Sequence, residues 1–181
     1  MKETFFELLN YLKNPILEED ENRHFKYRLL KFTQILVICL LSGFFISPIF
    51  EIIEELGWVD MQDHAIEDMF TKFSKPMIFF LAVIIAPFFE ELIFRAPLTF
   101  FKKPLNFKIA FYGFAFLFGV LHISNFNITK NVLLLTPILV LPQLLLGSFN
   151  GFIRVRFGIL WCIALHSCYN GILMLLTFAA D

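Results

Sequence analysis

Five long stretches without a charged residue constrain this chain more than any other feature. They cover residues 32–50, 76–89, 109–129, 131–153 and 157–180. A hydrocarbon core of about 30 Å takes roughly 20 helical residues to cross, and four of the stretches are long enough. The remaining one, 76–89, reaches that length once Glu90, Glu91 and Arg95 are included. The pattern predicts a protein that crosses the membrane several times.

Composition supports this class. The chain has 181 residues, of which 58% are hydrophobic and 17% charged, whereas soluble domains are about half apolar and a quarter charged. No basic tract indicates a nucleic-acid partner. The three cysteines fall inside predicted spans, where small core residues are typical. We predict an all-α fold: a polytopic membrane helical bundle of about five transmembrane helices, plus an N-terminal amphipathic helix at 3–13 that lies on the membrane surface or packs on the bundle.

The basic residues predict the orientation. We expect spans at about 29–52, 76–101, 107–124, 131–152 and 158–180. With the N-terminus in the cytoplasm, the inner segments carry nine basic residues and the outer ones only three, Lys72, Lys75 and Lys130, as the positive-inside rule requires. The nine are Arg23, Lys26, Arg28, Lys31, Lys102, Lys103, Lys108, Arg154 and Arg156. Lys31, near the start of span one, is able to snorkel to the interface. We treat 1–28 as a cytoplasmic segment and 29–181 as one bundle.

The charges in span two need an explanation, because a charged side chain inside a membrane is costly unless it is paired or functional. Glu91 and Arg95 are four residues apart on a helix, so they share a face and can pair. Glu90 points about 100° away from Glu91. Pairing therefore leaves Glu90 without a partner on its own helix.

Two other spans bring polar side chains to the same depth as Glu90. These are His122 in span three, and His166 with Asn170, four residues apart on one face of span five. At 1.5 Å per residue, all lie roughly 15–21 Å from the cytoplasmic loops. A lone histidine in a span is more often a packing residue than a catalyst, and Gly147 and Gly151 indicate close helix packing. Convergence of the four at one depth favours a functional site.

The chemistry of this set suits hydrolysis of a carbonyl bond. A buried carboxylate beside an imidazole can take a proton from a water molecule. A second histidine and an asparagine amide can donate hydrogen bonds to the oxyanion. No serine or cysteine lies beside a base at a suitable spacing. The competing interpretation is a metal site, because Glu90, His122 and His166 are also possible zinc ligands.

These residues resemble a known family. Glu90-Glu91-x-x-x-Arg95, Phe118-x-x-x-His122 and His166-x-x-x-Asn170 are similar, in this order, to the motifs of the CPBP (ABI) intramembrane endopeptidases, which include the CAAX prenyl proteases. The segments 147–151 and 158–161 resemble the approach to the third motif. The resemblance covers about 79–170, and the chain has fewer spans before the first motif than eukaryotic members of the family.

The resemblance implies a glutamate-dependent hydrolase. Glu90 and His122 would activate water, His166 and Asn170 would stabilise the oxyanion, and Glu91 and Arg95 would hold the helix, with Phe118 supporting the site. No metal is favoured, and zinc is the alternative. The implied partners are the lipid bilayer and a peptide or membrane-protein substrate, with the oligomeric state left open. The expected location is a bacterial inner membrane, where a CAAX substrate fits less well than in a eukaryotic cell.

Three functions compete at this point. The first is an intramembrane endopeptidase that cuts a membrane-associated, lipidated or unlipidated, protein near the cytoplasmic half of the bilayer. The second is a non-catalytic binding or bacteriocin-immunity protein on the same scaffold, for which Glu90 would be dispensable. The third is a small transporter or proton relay, which ranks last because the chain lacks the inverted repeat often found in transporters.

Overall fold

The computed structural model describes residues 1–61 and 65–180, and every regular element in these ranges is helical. The α-helices are α1 (Lys2–Lys13), α2 (Phe25–Glu55), α3 (Ala65–Lys72), α4 (Lys75–Phe80), α5 (Ala86–Phe94), α6 (Pro104–Leu121), α7 (Lys130–Leu139), α8 (Leu141–Phe157) and α9 (Ile159–Ala180). A π-helical segment, Leu81–Ile85, joins α4 to α5, and 3₁₀ turns follow α5 (Ala96–Phe100) and α6 (His122–Asn125). His64, which the sequence places in a loop, lies outside the described residues.

Five helical units in the described part of the chain are long and apolar enough to cross a membrane. They are Phe25–Glu55, Lys75–Phe100, Pro104–Asn125, Lys130–Phe157 and Ile159–Ala179. Many of their large apolar side chains point outward, among them Phe44, which is 70% exposed, and Leu160, which is 77% exposed. Large exposed apolar surfaces mark contact with a membrane or another protein, and the length and hydropathy of these helices fit a membrane. The protein is an integral multi-pass membrane protein, as predicted.

The spans differ in detail from the sequence prediction. The first is longer at both ends, because polar residues at the membrane edge continue the helix. The fourth is interrupted at Val140, between Leu139 and Leu141. Proline lacks the N–H that would continue the helical ladder, and Pro142 follows the break. A second break of the ladder, the π-helical segment, lies directly before Pro87.

Helix α1 packs on the bundle. Thr4, Leu8 and Tyr11 form its buried face, and the Tyr11 ring contacts Phe111 and Phe152 at 5.6 and 4.9 Å between centroids. The Tyr11 hydroxyl donates a hydrogen bond to the Ile16 carbonyl at 2.9 Å. Burial raises the pKa of this phenol above its ordinary value, so the hydroxyl remains a donor. The alternative that α1 packs on the bundle is the one observed.

The structure pairs Lys31 within the protein, so its ammonium group is not left to snorkel freely. Lys31 is only 9% exposed, and its Nζ donates to Oε2 of Glu7 on α1 at 2.6 Å. Helix α1 covers this part of α2, so the ammonium group of Lys31 pairs with the Glu7 carboxylate instead of with lipid headgroups. Arg156 lies 3.6 Å from the other oxygen of Glu7, so the two cations tie α1 to α2 and α8.

Candidate active site

A cavity of about 910 Å³ lies between the five spans, within the size range of ligand pockets. Glu90, His122, His166 and Asn170 all line it. Its other walls are mostly apolar and come from α2 and α9: Val37, Leu40, Leu41, Phe44, Phe50, Ile172, Leu173, Met174 and Leu176. The four polar residues predicted from the sequence to share a depth therefore share one cavity.

Glu90 carries the carboxylate that faces this cavity. Its side chain is 29% exposed, and Oε2 lies 3.6 Å from Nε2 of His166. This distance is too long for a hydrogen bond, but it leaves both groups open to a ligand. Glu90 is the less buried member of the Glu90-Glu91 pair, since Glu91 is completely buried.

Glu91 is surrounded by donors. Its Oε1 accepts hydrogen bonds from Nδ2 of Asn150 at 2.9 Å and from Nδ1 of His166 at 2.7 Å. Its Oε2 accepts one from Sγ of Cys162 at 2.8 Å, and Nε of Arg95 lies 3.5 Å from the same oxygen. The predicted pairing of Glu91 with Arg95 is thus present. The carboxylate in addition orients His166, which the pairing argument did not foresee.

These contacts determine which nitrogen of each histidine is left for a ligand. An ionised carboxylate can only accept a hydrogen bond, so Nδ1 of His166 carries the proton that it donates to Glu91. A carbonyl oxygen also only accepts, and Nδ1 of His122 lies 2.7 Å from the Phe118 carbonyl. In both rings Nδ1 is committed to the protein. Nε2 is therefore the nitrogen left free in each ring for a substrate, a water molecule or Glu90.

Asn170 is positioned by the irregular helix opposite it. In the π-helical segment the Ala86 N–H bonds to the Leu81 carbonyl, five residues back. The next residue, Pro87, has no N–H, so the Ala82 carbonyl loses its helical partner. Nδ2 of Asn170 donates to that oxygen at 2.9 Å. The proline and the asparagine together hold α9 against span two, and the second amide hydrogen of Asn170 has no partner among the described residues.

Arg95 and Phe118 form a packed unit beneath the cavity. The Arg95 guanidinium lies 3.9 Å from the centre of the Phe118 ring, a cation–π contact. The same ring packs against His122 and His166, with centroids 4.6 and 5.7 Å apart. Phe118 thus contacts both histidines and the arginine, so it fixes the position of all three.

Sequence reasoning missed three residues that hold the site together. Asn150 and Cys162 bind Glu91, and Arg154 donates from Nε to the Arg95 carbonyl at 3.2 Å. Arg154, which the sequence assigns to the inner segment between spans four and five, lies within α8 and satisfies the end of span two, where carbonyls lack helical partners. A signal for Cys162 was present, because it precedes His166 by four residues and shares its helix face.

The two spaced glycines of α8 allow the close packing that the sequence predicted. A Cβ on Gly147 would lie 2.6 Å from Nη2 of Arg95 and 3.1 Å from Cδ1 of Phe118. On Gly151 it would lie 2.7 Å from Cε2 of Phe111. The 2.6 and 2.7 Å distances are shorter than non-bonded atoms tolerate. Helix α8 can therefore approach these side chains only with glycine at these positions.

We expect Gly147→Ala to lower the free energy of unfolding by about 1–3 kcal/mol, because the added methyl group displaces Arg95. The matched control is Gly113→Ala in α6, where a Cβ meets nothing within 4 Å. There alanine should be neutral or stabilising by roughly 0.5–1 kcal/mol through its helix propensity. Denaturant unfolding of both variants in detergent is the measurement, and equal effects would contradict the packing argument.

The alternative zinc site does not fit this arrangement. Among the side chains that the structure describes, no three of His, Cys, Asp or Glu are placed so that they could hold one metal ion. Glu90, His122 and His166 line one cavity without forming such a set. A chelator experiment tests the metal dependence directly.

Comparison with known proteins identifies the family. The family model described as type II CAAX prenyl endopeptidase Rce1-like matches residues 72–172. This segment holds Glu90, His122, His166 and Asn170, together with the whole Glu91 network. Neither the curated proteins nor the solved structures contain a match to the chain. The family match covers more than half of the 181 residues, and the chain therefore belongs to the type II CAAX prenyl endopeptidase Rce1-like family.

Proposed function

We propose that the protein is an intramembrane endopeptidase in which Glu90 activates the hydrolytic water. The observation that carries this proposal is the shared cavity: a partly exposed carboxylate, two imidazoles and an amide line an otherwise apolar space. A general base must lie within hydrogen-bond reach of the proton that it takes. Glu90 is the only carboxylate that lines the cavity among the described residues.

The proposed reaction balances without a covalent intermediate. Glu90 takes a proton from water while the water oxygen attacks the carbonyl carbon of the peptide, and the carbonyl oxygen becomes an oxyanion. Glu90 then gives the proton to the amide nitrogen, and the carbon–nitrogen bond breaks. Nε2 of His122 is free to accept the second hydrogen bond from the attacking water, which supports its role beside Glu90.

The oxyanion would be stabilised by His166 and Asn170. Asn170 has one amide hydrogen left after its bond to Ala82, and this hydrogen can be donated. Nε2 of His166 can donate only when it carries a proton, and Glu90, 3.6 Å away, is the neighbour with which it can share one. Hydrogen bonds aimed at a developing oxyanion in a water-poor site are among the largest contributions to catalysis.

The test is mass spectrometry of a peptide library, including prenylated members, incubated with the detergent-purified protein in ¹⁸O-water, with and without a strong chelator. We expect fragments that carry ¹⁸O in the new carboxyl group and that form equally with chelator. Loss of the fragments with chelator would make Glu90, His122 and His166 a metal site. No fragments from folded protein would favour the binding or bacteriocin-immunity function.

A further inference from the structure

The cavity lies in one half of the bundle. Helix α2 lines it from Val37 to Phe50, and α9 lines it from His166 to Thr177, in both cases the later part of the helix. The 3₁₀ turn after α6 contributes His122 and Asn125, and α8 contributes its first turns, Pro142 to Leu146. Because neighbouring spans run in opposite directions, all these parts lie at the end of the bundle away from α1.

The opposite end of the bundle is closed off from this cavity. A second cavity of about 480 Å³ lies there, lined by Arg28, Thr99 and Arg154 among others, and the two cavities share no lining residue. Between the cavity and α1 lie Phe149, Leu165 and Cys162, which are 5% exposed or less. The buried Glu91 network follows, and Leu8 and Tyr11 of α1 complete the packing with Phe111 and Phe152. Side chains at this density leave no path for a peptide. Substrate must therefore enter at the other end or from the lipid beside it.

Charge separates the two ends. The closed end carries the nine basic residues named above, two of which hold α1 through Glu7. The open end carries three exposed glutamates at the end of α2, Glu51, Glu54 and Glu55, directly after Phe50 of the cavity wall, and three exposed lysines on the segments that follow, Lys72, Lys75 and Lys130. Basic segments stay on the cytoplasmic side of a membrane. The open end then faces away from the cytoplasm.

We propose, building on the peptidase function above, that the cavity receives its substrate from the non-cytoplasmic side. The substrate class is an exported or membrane-inserted peptide with an apolar stretch and a basic flank. The apolar stretch packs on Leu40, Phe44 and Leu173, and its peptide bond reaches Glu90. The basic flank meets the glutamates at the end of α2, where opposite charges attract.

This differs from the sequence-based expectation of cleavage near the cytoplasmic half of the bilayer. It also differs from the processing of a prenylated chain delivered from the cytoplasm, because such a chain would meet the closed end. The depths estimated from the sequence already placed the polar residues up to roughly 21 Å from the cytoplasmic loops, beyond the middle of a 30 Å core.

The test is cysteine labelling with a membrane-impermeant maleimide in right-side-out and inside-out vesicles. The background is Cys168→Ala, which removes the exposed cysteine and keeps the buried Cys39 and Cys162. Ser47→Cys and Asn125→Cys place a thiol in the cavity, and Lys102→Cys places one in the exposed loop at the closed end. We expect the two cavity thiols to react in right-side-out vesicles and Lys102→Cys only in inside-out vesicles.

The reverse pattern, or cavity thiols that react from neither side, would overturn the proposal. The readout needs no catalytic activity, so an inactive protein with outward labelling would refute the peptidase alone. A cleaving protein with inward labelling would refute only the direction of entry. Once a substrate is found, the triple variant Glu51→Gln, Glu54→Gln, Glu55→Gln should raise KM several-fold for a peptide with a basic flank. A neutral-flank peptide should be unaffected, and equal effects on both would remove the glutamates from recognition.

Discussion

Replacing Glu90 by glutamine is expected to lower the rate of peptide cleavage by about 10²–10⁴, the usual contribution of general acid–base catalysis. Glutamine has the size of glutamate but cannot take a proton from water. The side chain is partly exposed and lies in a cavity, so the fold should tolerate the change. The measurement is the initial rate of a cleaved peptide, together with the unfolding midpoint of the same preparation.

The matched control is Glu19→Gln. Glu19 also carries a carboxylate, but its side chain is 80% exposed and lies near α1, outside the cavity. Its rate should equal that of the unchanged protein. A Glu90→Gln protein that cleaves at the normal rate would refute the role of Glu90 as the base.

Arg95→Met is expected to cost about 3–5 kcal/mol of stability, the effect of removing one partner of a buried ion pair. Arg95 is 1% exposed. Without its guanidinium, the buried Glu91 carboxylate would lose the cation that it pairs with. The cation–π contact with Phe118 would also be lost. Denaturant unfolding in detergent measures the loss, and reduced expression is the accompanying sign.

A double-mutant cycle identifies the pair as the cause. The double variant Arg95→Met, Glu91→Gln should lose less stability than the sum of the two single variants, because it leaves no member of the pair as an unpaired buried charge. The control is Arg23→Met, which removes an exposed contact with Glu19 at 3.9 Å; exposed pairs contribute about 0–1 kcal/mol. Strict additivity of the Arg95 and Glu91 effects would contradict a direct coupling.

The number of spans could be read from the sequence because lipid imposes a simple rule. A stretch of about 20 apolar residues is long enough to cross the bilayer. The sequence and the structure both give five such spans. The helix breaks were harder to place. The breaks lie near Pro87 and Pro142, but their form depends on neighbouring helices: the Ala82 carbonyl is satisfied by Asn170, which is distant in sequence.

The depth of each polar residue along its helix was enough to predict that these residues lie at one level. Glu90, His122, His166 and Asn170 line one cavity because rise per residue is constant and the loops fix the starting level. Their catalytic roles remain predictions. The pairing of Glu91 with Arg95 was also predictable, because both lie on one helix at a spacing of four.

Rotation about the helix axes was not predictable. Asn150 and Cys162 bind Glu91 only because α8 and α9 turn these faces toward span two. That rotation depends on close packing at Gly147, where any side chain would displace Arg95. Lys31 shows the same limit: its position suggested the interface, but the docking of α1 gave it Glu7 as a partner.

The most direct test of the central claim measures binding and cleavage of one peptide by the same two preparations. The unchanged protein and Glu90→Gln would each be titrated with a fluorescent form of the first peptide found to be cut, and cleavage would be followed by mass spectrometry. The account predicts similar Kd values and cleavage at least about 10²-fold slower for Glu90→Gln. Equal cleavage by both proteins would contradict the claim that Glu90 activates the water.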